Sequence, residues 1–337
     1  MDGQRYRIRP AIHLVAFLNG PCVVSETVNV TILICAYNGD ETVPKLLESA
    51  LAQDTGGEFQ YEILVVDNNS TDRTAAMVLG LAEKNPERIR LLKETTQGKS
   101  YALNTGLKSA RGEICCVIDQ DEQLTPGYLR QVWSAFQQHP GVSFLSGKVL
   151  PLWPAEVPEW ITREHWSPLA ICDYGEQPFL VNRERLVCLL TGCFRTAHMR
   201  AVGGYRELLG ITPGRLGSVE DAELYERMVE AGYTGMYVPE IVVYHRIGLS
   251  RLNKPYHRRW HRGHGGYVAD MRSRDFESSR FRIVQIPGHV IRQAAQDAVA
   301  LLSLAARGQW SQAFSRELQL QFFMGFVLRR WGISKAV

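Results

Sequence analysis

Four acidic side chains stand out by type and spacing. Asp119 and Asp121 lie two residues apart, directly after the apolar run Glu113 to Ile118, and Glu220-Asp221 form an adjacent pair about a hundred positions later. Hard divalent cations such as Mg²⁺ or Mn²⁺ prefer carboxylate oxygens and often join one or two of them to substrate phosphates. A separate carboxylate held beside a hydroxyl can act as a general base. His245 ends another apolar run and could complete a coordination begun by Asp121. Arg246, Arg251, Lys254, Arg258 and Arg259 follow, and with a metal they could neutralise a diphosphate. Each feature also has a plain reading. Asp is a common turn residue, acidic pairs favour helix N-termini, a lone histidine is usually structural, and a basic run is usually solvated.

The elements that must position these groups alternate. Val28 to Ala36 reads as a β-branched strand ending at Tyr37-Asn38-Gly39-Asp40. Val43, Leu46, Leu47, Ala50 and Leu51 then recur with helical spacing, with Pro44 in the first turn. Tyr61 to Val66 is a second strand, ending in Asp67-Asn68-Asn69-Ser70-Thr71-Asp72, where Ser70 or Thr71 would cap the next helix. Ile89 to Leu92 and Glu113 to Ile118 read as further strands, with a helix over Tyr101 to Ala110 between them. A helix after Thr125-Pro126 carries Leu129, Val132, Trp133 and Phe136 on one face. This alternation predicts an α/β fold with a mostly parallel sheet covered on both faces, and ligands beyond the carboxyl ends of its strands. Leu150 to Pro178 is rich in Pro and Trp. A helix is expected over Ala222 to Ala231 and a strand over Gly235 to Tyr244.

The 337 residues, 45% hydrophobic and 22% charged, exclude a disordered or collagen-like chain. The net charge of +3 is low for a nucleic-acid coat, and no nucleic-acid partner is expected. The basic charge is concentrated in residues 251–337, which carry +10 and two amphipathic stretches, Val290 to Ala306 and Trp310 to Leu328. In the first, Ile291, Ala294, Ala295, Ala298, Leu301, Leu302 and Ala305 would share one face, opposite Arg292, Gln296 and Ser303. Such stripes would pack on the catalytic domain, on a second subunit in a homodimer, or on an acidic membrane surface. Seven cysteines without CxxC spacing argue against a zinc site and fit a reducing compartment. Ala11 to Leu18, after Arg5, Arg7 and Arg9, faintly resembles a signal peptide, but it contains His13 and lacks a convincing cleavage site. No apolar run is long enough to span a bilayer, so a cytoplasmic protein, peripheral at the cytoplasmic face of the membrane, is expected. GxGxxG after a strand, GxxxxGK[ST] and GxSxG are all missing, which argues against dinucleotide-dependent dehydrogenases, P-loop NTPases and the usual hydrolases.

In order and spacing, Val30 to Asn38, Val65 to Asp72, Gly98-Lys99, Ala102-Leu103-Asn104, Gly106, Asp119-Gln120-Asp121, Gly203-Gly204-Tyr205, Glu220-Asp221 and His245 resemble glycosyltransferase family 2, inverting enzymes with the GT-A nucleotide-sugar-binding fold. The resemblance runs from about Val28 to Trp260. It implies an N-terminal extension (residues 1–27), a GT-A catalytic domain (28–250, its nucleotide-binding half ending near 122) and a basic helical C-terminal extension (251–337). By the same resemblance Ala36, Tyr37, Asn38 and Glu41 would border the nucleotide, with Asn69 nearby and Asp67 hydrogen-bonding the base. Lys99 would lie near the nucleotide or its phosphates, and Arg251, Arg259 and Trp260 would add donor contacts. Asp119 would reach the ribose or a Mg²⁺ or Mn²⁺ ion, Asp121 would ligate that metal, and His245 would be a further metal or diphosphate contact. Asp221 would deprotonate the acceptor hydroxyl with Glu220 in support. The donor would be a nucleoside-diphosphate sugar, a UDP-sugar foremost, and the acceptor a glycan or lipid-linked intermediate of cell-surface polysaccharide synthesis.

Two departures from the family pattern matter. Tyr256-His257-Arg258-Arg259-Trp260 resembles the QxxRW element of processive synthases, with Tyr256 in place of the Gln, and spanning helices are missing. Transfer of one sugar is therefore expected. The Pro/Trp-rich segment would be an acceptor-binding wall or a packed insert. Competing functions are a non-catalytic nucleotide-sugar-binding protein and a sugar-1-phosphate nucleotidyltransferase. The first is disfavoured by the presence of all four Asp residues, Asp67, Asp119, Asp121 and Asp221. The second is disfavoured by a first loop that is not Gly-rich.

Overall fold

A computed structural model describes residues 27–185, 190–211 and 216–333. The expected signal-like segment, Cys22 and Cys188 lie outside them. The first half alternates as its hydrophobic pattern demands. In chain order it runs β1 (Val30–Ala36), α1 (Val43–Leu51), β2 (Tyr61–Asp67), α2 (Thr74–Lys84), β3 (Ile89–Lys93), α3 (Lys99–Ser109), β4 (Ile114–Asp119), β5 (Glu122–Leu124) and α4 (Tyr128–Gln138). Side chains of β1 alternate between two cores. Val30, Ile32, Ile34 and Ala36 face α1 and α4, and Leu33 faces α3 on the other side. Both faces are dry, which is why these strands read as nearly continuous apolar runs. The start of α2 corrects one expectation. Neither Ser70 nor Thr71 caps it; Asp72 Oδ1 accepts from the Thr74 backbone N–H at 2.9 Å. Ser70 and Thr71 instead bond Asn38 across the strand ends.

The second half adds β6 (Phe144–Leu152), β7 (Phe179–Val181), β8 (Cys193–Arg195), α5 (Thr196–Ala201), α6 (Glu220–Glu230) and β9 (Gly235–Arg246). The main sheet has the order β3-β2-β1-β4-β8-β6-β9-β5, with β7 paired to β9. The β3-β2-β1-β4 block is parallel and β6 runs parallel to β9, while β8, β5 and β7 pair antiparallel. Asp119 and Asp121 thus fall where the parallel block ends and β5 turns back along β9. The five described cysteines are free thiols. Burial pushes Cys35 and Cys115 up to about 12, so both act as small hydrophobes.

The Pro/Trp-rich segment is packed. Trp153 and Trp166 lie against Leu169, Ile171 and Ile247, and Trp160 meets His165, His257 and Phe314 edge-on. These contacts favour the packed insert over a wall of free aromatic faces.

The C-terminal part holds α7 (Lys254–Met271), α8 (Arg274–Glu277), a small hairpin of β10 (Arg282–Ile283) and β11 (Ile286–Pro287), α9 (Gly288–Ala306) and α10 (Trp310–Arg330). The long helix α7 was not expected from the sequence. Its buried side is made of His257, His261, Gly265, Tyr267 and Ala269, so it lacks a bulky apolar stripe. The pairs Arg258–Glu317, Arg262–Gln321 and Arg329–Asp270 are each 59 residues apart, so α7 and α10 run parallel and in register. At their crossing a Cβ on Gly265 would stand 2.1 Å from the Phe322 carbonyl oxygen, and one on Gly325 1.8 Å from that of Arg262. Only glycine permits that approach. The expected face of α9 also needs correction. Val290, Ala294 and Asp297 point inward, with Asp297 paired to Arg316 at 3.1 Å, whereas Leu302 is 72% exposed. No helix among the described residues is long and apolar enough to cross a membrane.

Burial holds three α7 imidazoles neutral. His257 is pushed down to about 4, His261 to about 3 and His264 to about 4, with neighbouring imidazoles adding to the effect at His257 and His261. Lys254 and Arg258 stack on Phe314 nearby. Below about pH 6.5 the unfolded chain binds protons that the folded chain refuses. Stability is therefore full above that pH and is lost as pH falls toward 4, by at most about 1.4 kcal/mol per histidine per unit. Thermal melts should show a flat melting temperature from pH 8 to 7 and a fall between 6.5 and 4, with a shallower fall in His261→Leu. Parallel curves for parent and variant would assign the loss to other groups.

Candidate active site

The strand ends are braced before any ligand arrives. Gln120, between the two aspartates, does not face solvent as a turn residue would. Its Oε1 accepts from the Tyr37 N–H at 2.9 Å and its Nε2 donates to the Tyr37 carbonyl at 3.1 Å, which locks β4 to β1. Asn38 and Asn69 adopt positive φ of 47° and 62°, a region Asn tolerates. Ala36 and Asp67 are buried, Asp67 accepting from the Ser70 N–H at 3.3 Å, and Glu41 is exposed at the rim.

Buried Asn68 organises the loop after β3. Its Oδ1 accepts from the Gly98 N–H at 2.7 Å and its Nδ2 donates to the Thr96 carbonyl at 2.7 Å. Gly98 has φ 140° and opens α3, so Lys99 leaves the first turn directed at the strand ends. Its ammonium stands 2.7 Å from Asp119 Oδ1 and 3.5 Å from Glu220 Oε1. One lysine therefore joins the two acidic clusters that the sequence separates. Burial alone would lower its pKa, but Asp119, Glu220 and Asp221 outweigh it and hold the ammonium well above the usual lysine value.

Glu220 is 1% exposed, and neither carboxylate oxygen has a hydrogen-bond partner among the described residues. Asp221 follows it in the first turn of α6. Burial raises the Asp221 carboxyl to about 7; Glu220 and Asp119 add to the rise, while Lys99 and Tyr205 oppose it. A carboxyl in that range suits proton abstraction at neutral pH. Tyr205 is itself held by Asn104, which accepts from its N–H and donates to its carbonyl, each at 2.8 Å. The preceding Gly204 has φ 68°, and a Cβ there would meet Asn104 Oδ1 at 2.5 Å. The Ala-Leu-Asn and Gly-Gly-Tyr motifs are thus two halves of one clamp behind Asp221.

Asp121 and His245 meet through Oδ2 and Nε2 at 3.1 Å. Nδ1 lies 2.9 Å from the Leu169 carbonyl, which only accepts, so Nδ1 carries a proton and Nε2 is the ring nitrogen turned to Asp121. Arg251 places its guanidinium 3.4 Å from both the Nε2 and Asp121 Oδ2. Burial would raise the Asp121 carboxyl, but His245 and Arg251 hold it down at about 2. A carboxylate and an imidazole nitrogen that meet at one point are donor types a divalent metal takes, and in this structure the Arg251 guanidinium supplies the positive charge there. A metal-binding histidine typically fixes its tautomer through such a carbonyl. Among the described residues no three acidic, His or Cys side chains converge as a ligand set, and Asp119 faces Lys99 instead. The donor set therefore fits an ion completed by phosphate and water rather than one caged by protein.

Residues 31–151 match the family model of Glycosyl transferase family 2. That segment is similar to the glycosyltransferases of family 2. The succinoglycan biosynthesis protein ExoO of Rhizobium meliloti is 34% identical over 113 residues, 33% of this chain and 31% of that protein. A dolichyl-phosphate beta-glucosyltransferase of Dictyostelium discoideum is 32% identical over 103 residues, 28% of this chain and 32% of its own length. The match thus spans about a third of these relatives. Among solved structures, mannosyltransferase PcManGT from Pyrobaculum calidifontis, in complex with GDP-Man and Mn²⁺, superposes with a TM-score of 0.59 at 20% identity, covering 91% of this chain and 88% of that one. S. aureus TarS 1-349 in complex with UDP gives 0.51 at 17% identity, covering 90% of this chain and 92% of that one. The fold is that of the GT-A glycosyltransferases.

Not every expected residue gathers at the strand ends. Arg246 bonds Gln123, Arg258 pairs with Glu317, Arg259 is exposed on α7, and Trp260 stacks on His264 at 4.6 Å. Of the basic run only Arg251 touches the carboxylates. Sequence reasoning passed over Glu122. It is 4% exposed, accepts from the Asp119 N–H at 2.9 Å and from Thr191 Oγ1, and is driven well above the carboxylate range by burial and by Asp119. Its place directly after Asp-x-Asp was the available signal.

Lys99→Met should leave buried Glu220 without its cation and cost on the order of 3 kcal/mol. Removing the charge that lowers the Asp221 carboxyl should also move the midpoint of any activity-pH curve upward. Melting curves and a pH profile check both; an unchanged midpoint would separate Lys99 from Asp221.

Proposed function

We propose that the protein is an inverting, metal-dependent glycosyltransferase moving one sugar from a nucleoside-diphosphate sugar, a UDP-sugar foremost, to a hydroxyl of a glycan or lipid-linked acceptor in cell-surface polysaccharide synthesis. The observation that carries this reading is the Asp119–Lys99–Glu220 bridge, which sets the carboxylate next to Glu220 beside the strand ends where nucleotides bind in such sheets. The donor complexes of the structural neighbours, with GDP-Man and Mn²⁺ or with UDP-GlcNAc, support a nucleotide-sugar donor and a divalent ion. Dolichyl-phosphate glucosyltransferases and a beta-monoglucosyldiacylglycerol synthase among the relatives support a lipid-linked acceptor.

In this reading Asp67, Asn69 and the Ala36-Tyr37-Asn38 end of β1, with Glu41 at the rim, border the nucleoside, and Asp119 reaches the ribose. Asp121 and His245 would hold a Mg²⁺ or Mn²⁺ ion, which supplies positive charge against the leaving diphosphate. Arg251 adds a guanidinium on the same side. Asp221 takes the proton from the acceptor hydroxyl as its oxygen attacks the anomeric carbon from the face opposite the leaving group. One carbon–oxygen bond forms, the bond to the diphosphate breaks, and the configuration inverts. Glu220 and Lys99 fix the position and charge of Asp221.

Asp221→Asn should keep donor affinity and lose about 10²–10⁴ in transfer rate. Because the base must be ionised, the parent rate should rise with pH through about 7 and then level, and the variant should lack that limb. Retention of more than about a tenth of the rate would remove Asp221 as the base. Asp121→Ala should weaken nucleoside-diphosphate binding measured by calorimetry with Mn²⁺ and change it little without. Full activity after exhaustive chelation would take the ion out of the mechanism.

A further inference from the structure

The C-terminal end of the molecule carries an apolar tip that the catalytic reading does not use. Phe281, Ile283, Val284, Trp331 and Ile333 are exposed by 66, 49, 66, 48 and 67%. They are not scattered. The β10–β11 hairpin pairs Ile283 with Ile286, the Gly288 N–H closes it on the Phe281 carbonyl at 2.9 Å, and the Trp331 indole N–H donates to the Val284 carbonyl at 2.9 Å. The base is fixed, because buried Ile286 packs with Ala269, Val290 and Phe326.

The turn itself is unusual. Val284 and Gln285 both have positive φ, 44° and 68°. Two-residue turns of this kind favour Asn and Gly, and a β-branched residue there is strained. Neither backbone preference nor burial accounts for a valine at this point; an apolar surrounding for its side chain would. The rim is basic. Arg272, Arg280 and Arg292 are exposed and form no ion pair among the described residues. Among the described side chains nearby, Glu277 is neutralised by Arg282 and Arg330 and Asp270 by Arg329.

We propose that this hairpin tip and the end of α10 dock on a bilayer bearing anionic lipid, the apolar side chains entering the headgroup boundary and the arginines meeting the lipid charges. Apolar insertion rimmed by cations is how peripheral proteins hold such surfaces reversibly. A second copy is the poorer occupant, since it would set one arginine rim against another. The docking stands apart from catalysis, so its test does not depend on the proposed reaction.

Flotation of the full chain with phosphatidylcholine vesicles, with and without phosphatidylglycerol, tests it. The protein should float only with the anionic vesicles and be released by high salt, and brominated lipid should quench part of its tryptophan fluorescence. The double variant Ile283→Asn/Val284→Asn places a turn-compatible residue at the strained position, so it should fold at least as well, yet lose about tenfold or more in partitioning. Arg280→Glu/Arg292→Glu should lose a similar factor. Melting temperature and nucleotide affinity should stay at parent values in both. Absence of flotation at low salt, or flotation unchanged in both variants, overturns the proposal. A dimer in sedimentation equilibrium that the hairpin variant disperses would assign the tip to a second copy and overturn it equally.

Discussion

The Lys99 ammonium is the constraint on which the site depends. Asp119, Glu220 and Asp221 come together from the end of β4 and the start of α6, and three neighbouring carboxylates repel one another unless a cation lies among them. The cation must arrive from a third element at a fixed height, and α3 supplies it. Asn68 sets where α3 begins by holding Gly98, and Asn104, farther along the same helix, holds Tyr205 beside Asp221. One helix thus sets both the counter-ion and the backing of the base. The same arrangement pushes Asp221 toward neutrality in pKa while keeping it charged enough to accept a proton.

Much of this could be read from the chain. Dry strands and amphipathic helices are local patterns, so β1 to β4 and α1 to α4 fell close to where their apolar spacing put them, whereas the short β5 was not expected. The acidic clusters were visible because polar residues interrupt apolar runs at strand ends. What was not legible was partnership. Gln120 looked like a spacer between two aspartates, yet it ties β4 to β1 through the Tyr37 backbone. Nothing in the spacing of Asn104 and Tyr205 announces a clamp across 101 residues. Helix α7 escaped because histidine and glycine form its inward side. Their burial comes from the crossing with α10 and from contacts with Trp160 and Ser218, all between segments far apart in sequence. The face of α9 was misjudged for a related reason. The buried stripe contains Asp297, which is polar in the sequence but neutralised by Arg316 in the fold.

Beside its exposed arginines, the basic charge of the last segment has two engaged populations. Arg258, Arg316 and Arg329 are engaged by carboxylates inside the helical layer and hold α7, α9 and α10 together. Arg251 turns the other way, toward Asp121 and His245. Counting charges along the chain merges these roles, whereas geometry separates scaffold arginines from the one at the site.

The hydrogen bond from His245 to the Leu169 carbonyl links the insert to the Asp121–His245 pair. Leu169 sits in a left-turning corner closed by Ala170 at φ 49°, packed with Ile171 and Ile247. One ring nitrogen is therefore held from the insert while the other meets Asp121. Remodelling of that segment would turn the ring and loosen its contact with Asp121. A packed insert thus reaches the carboxylate cluster through a single imidazole.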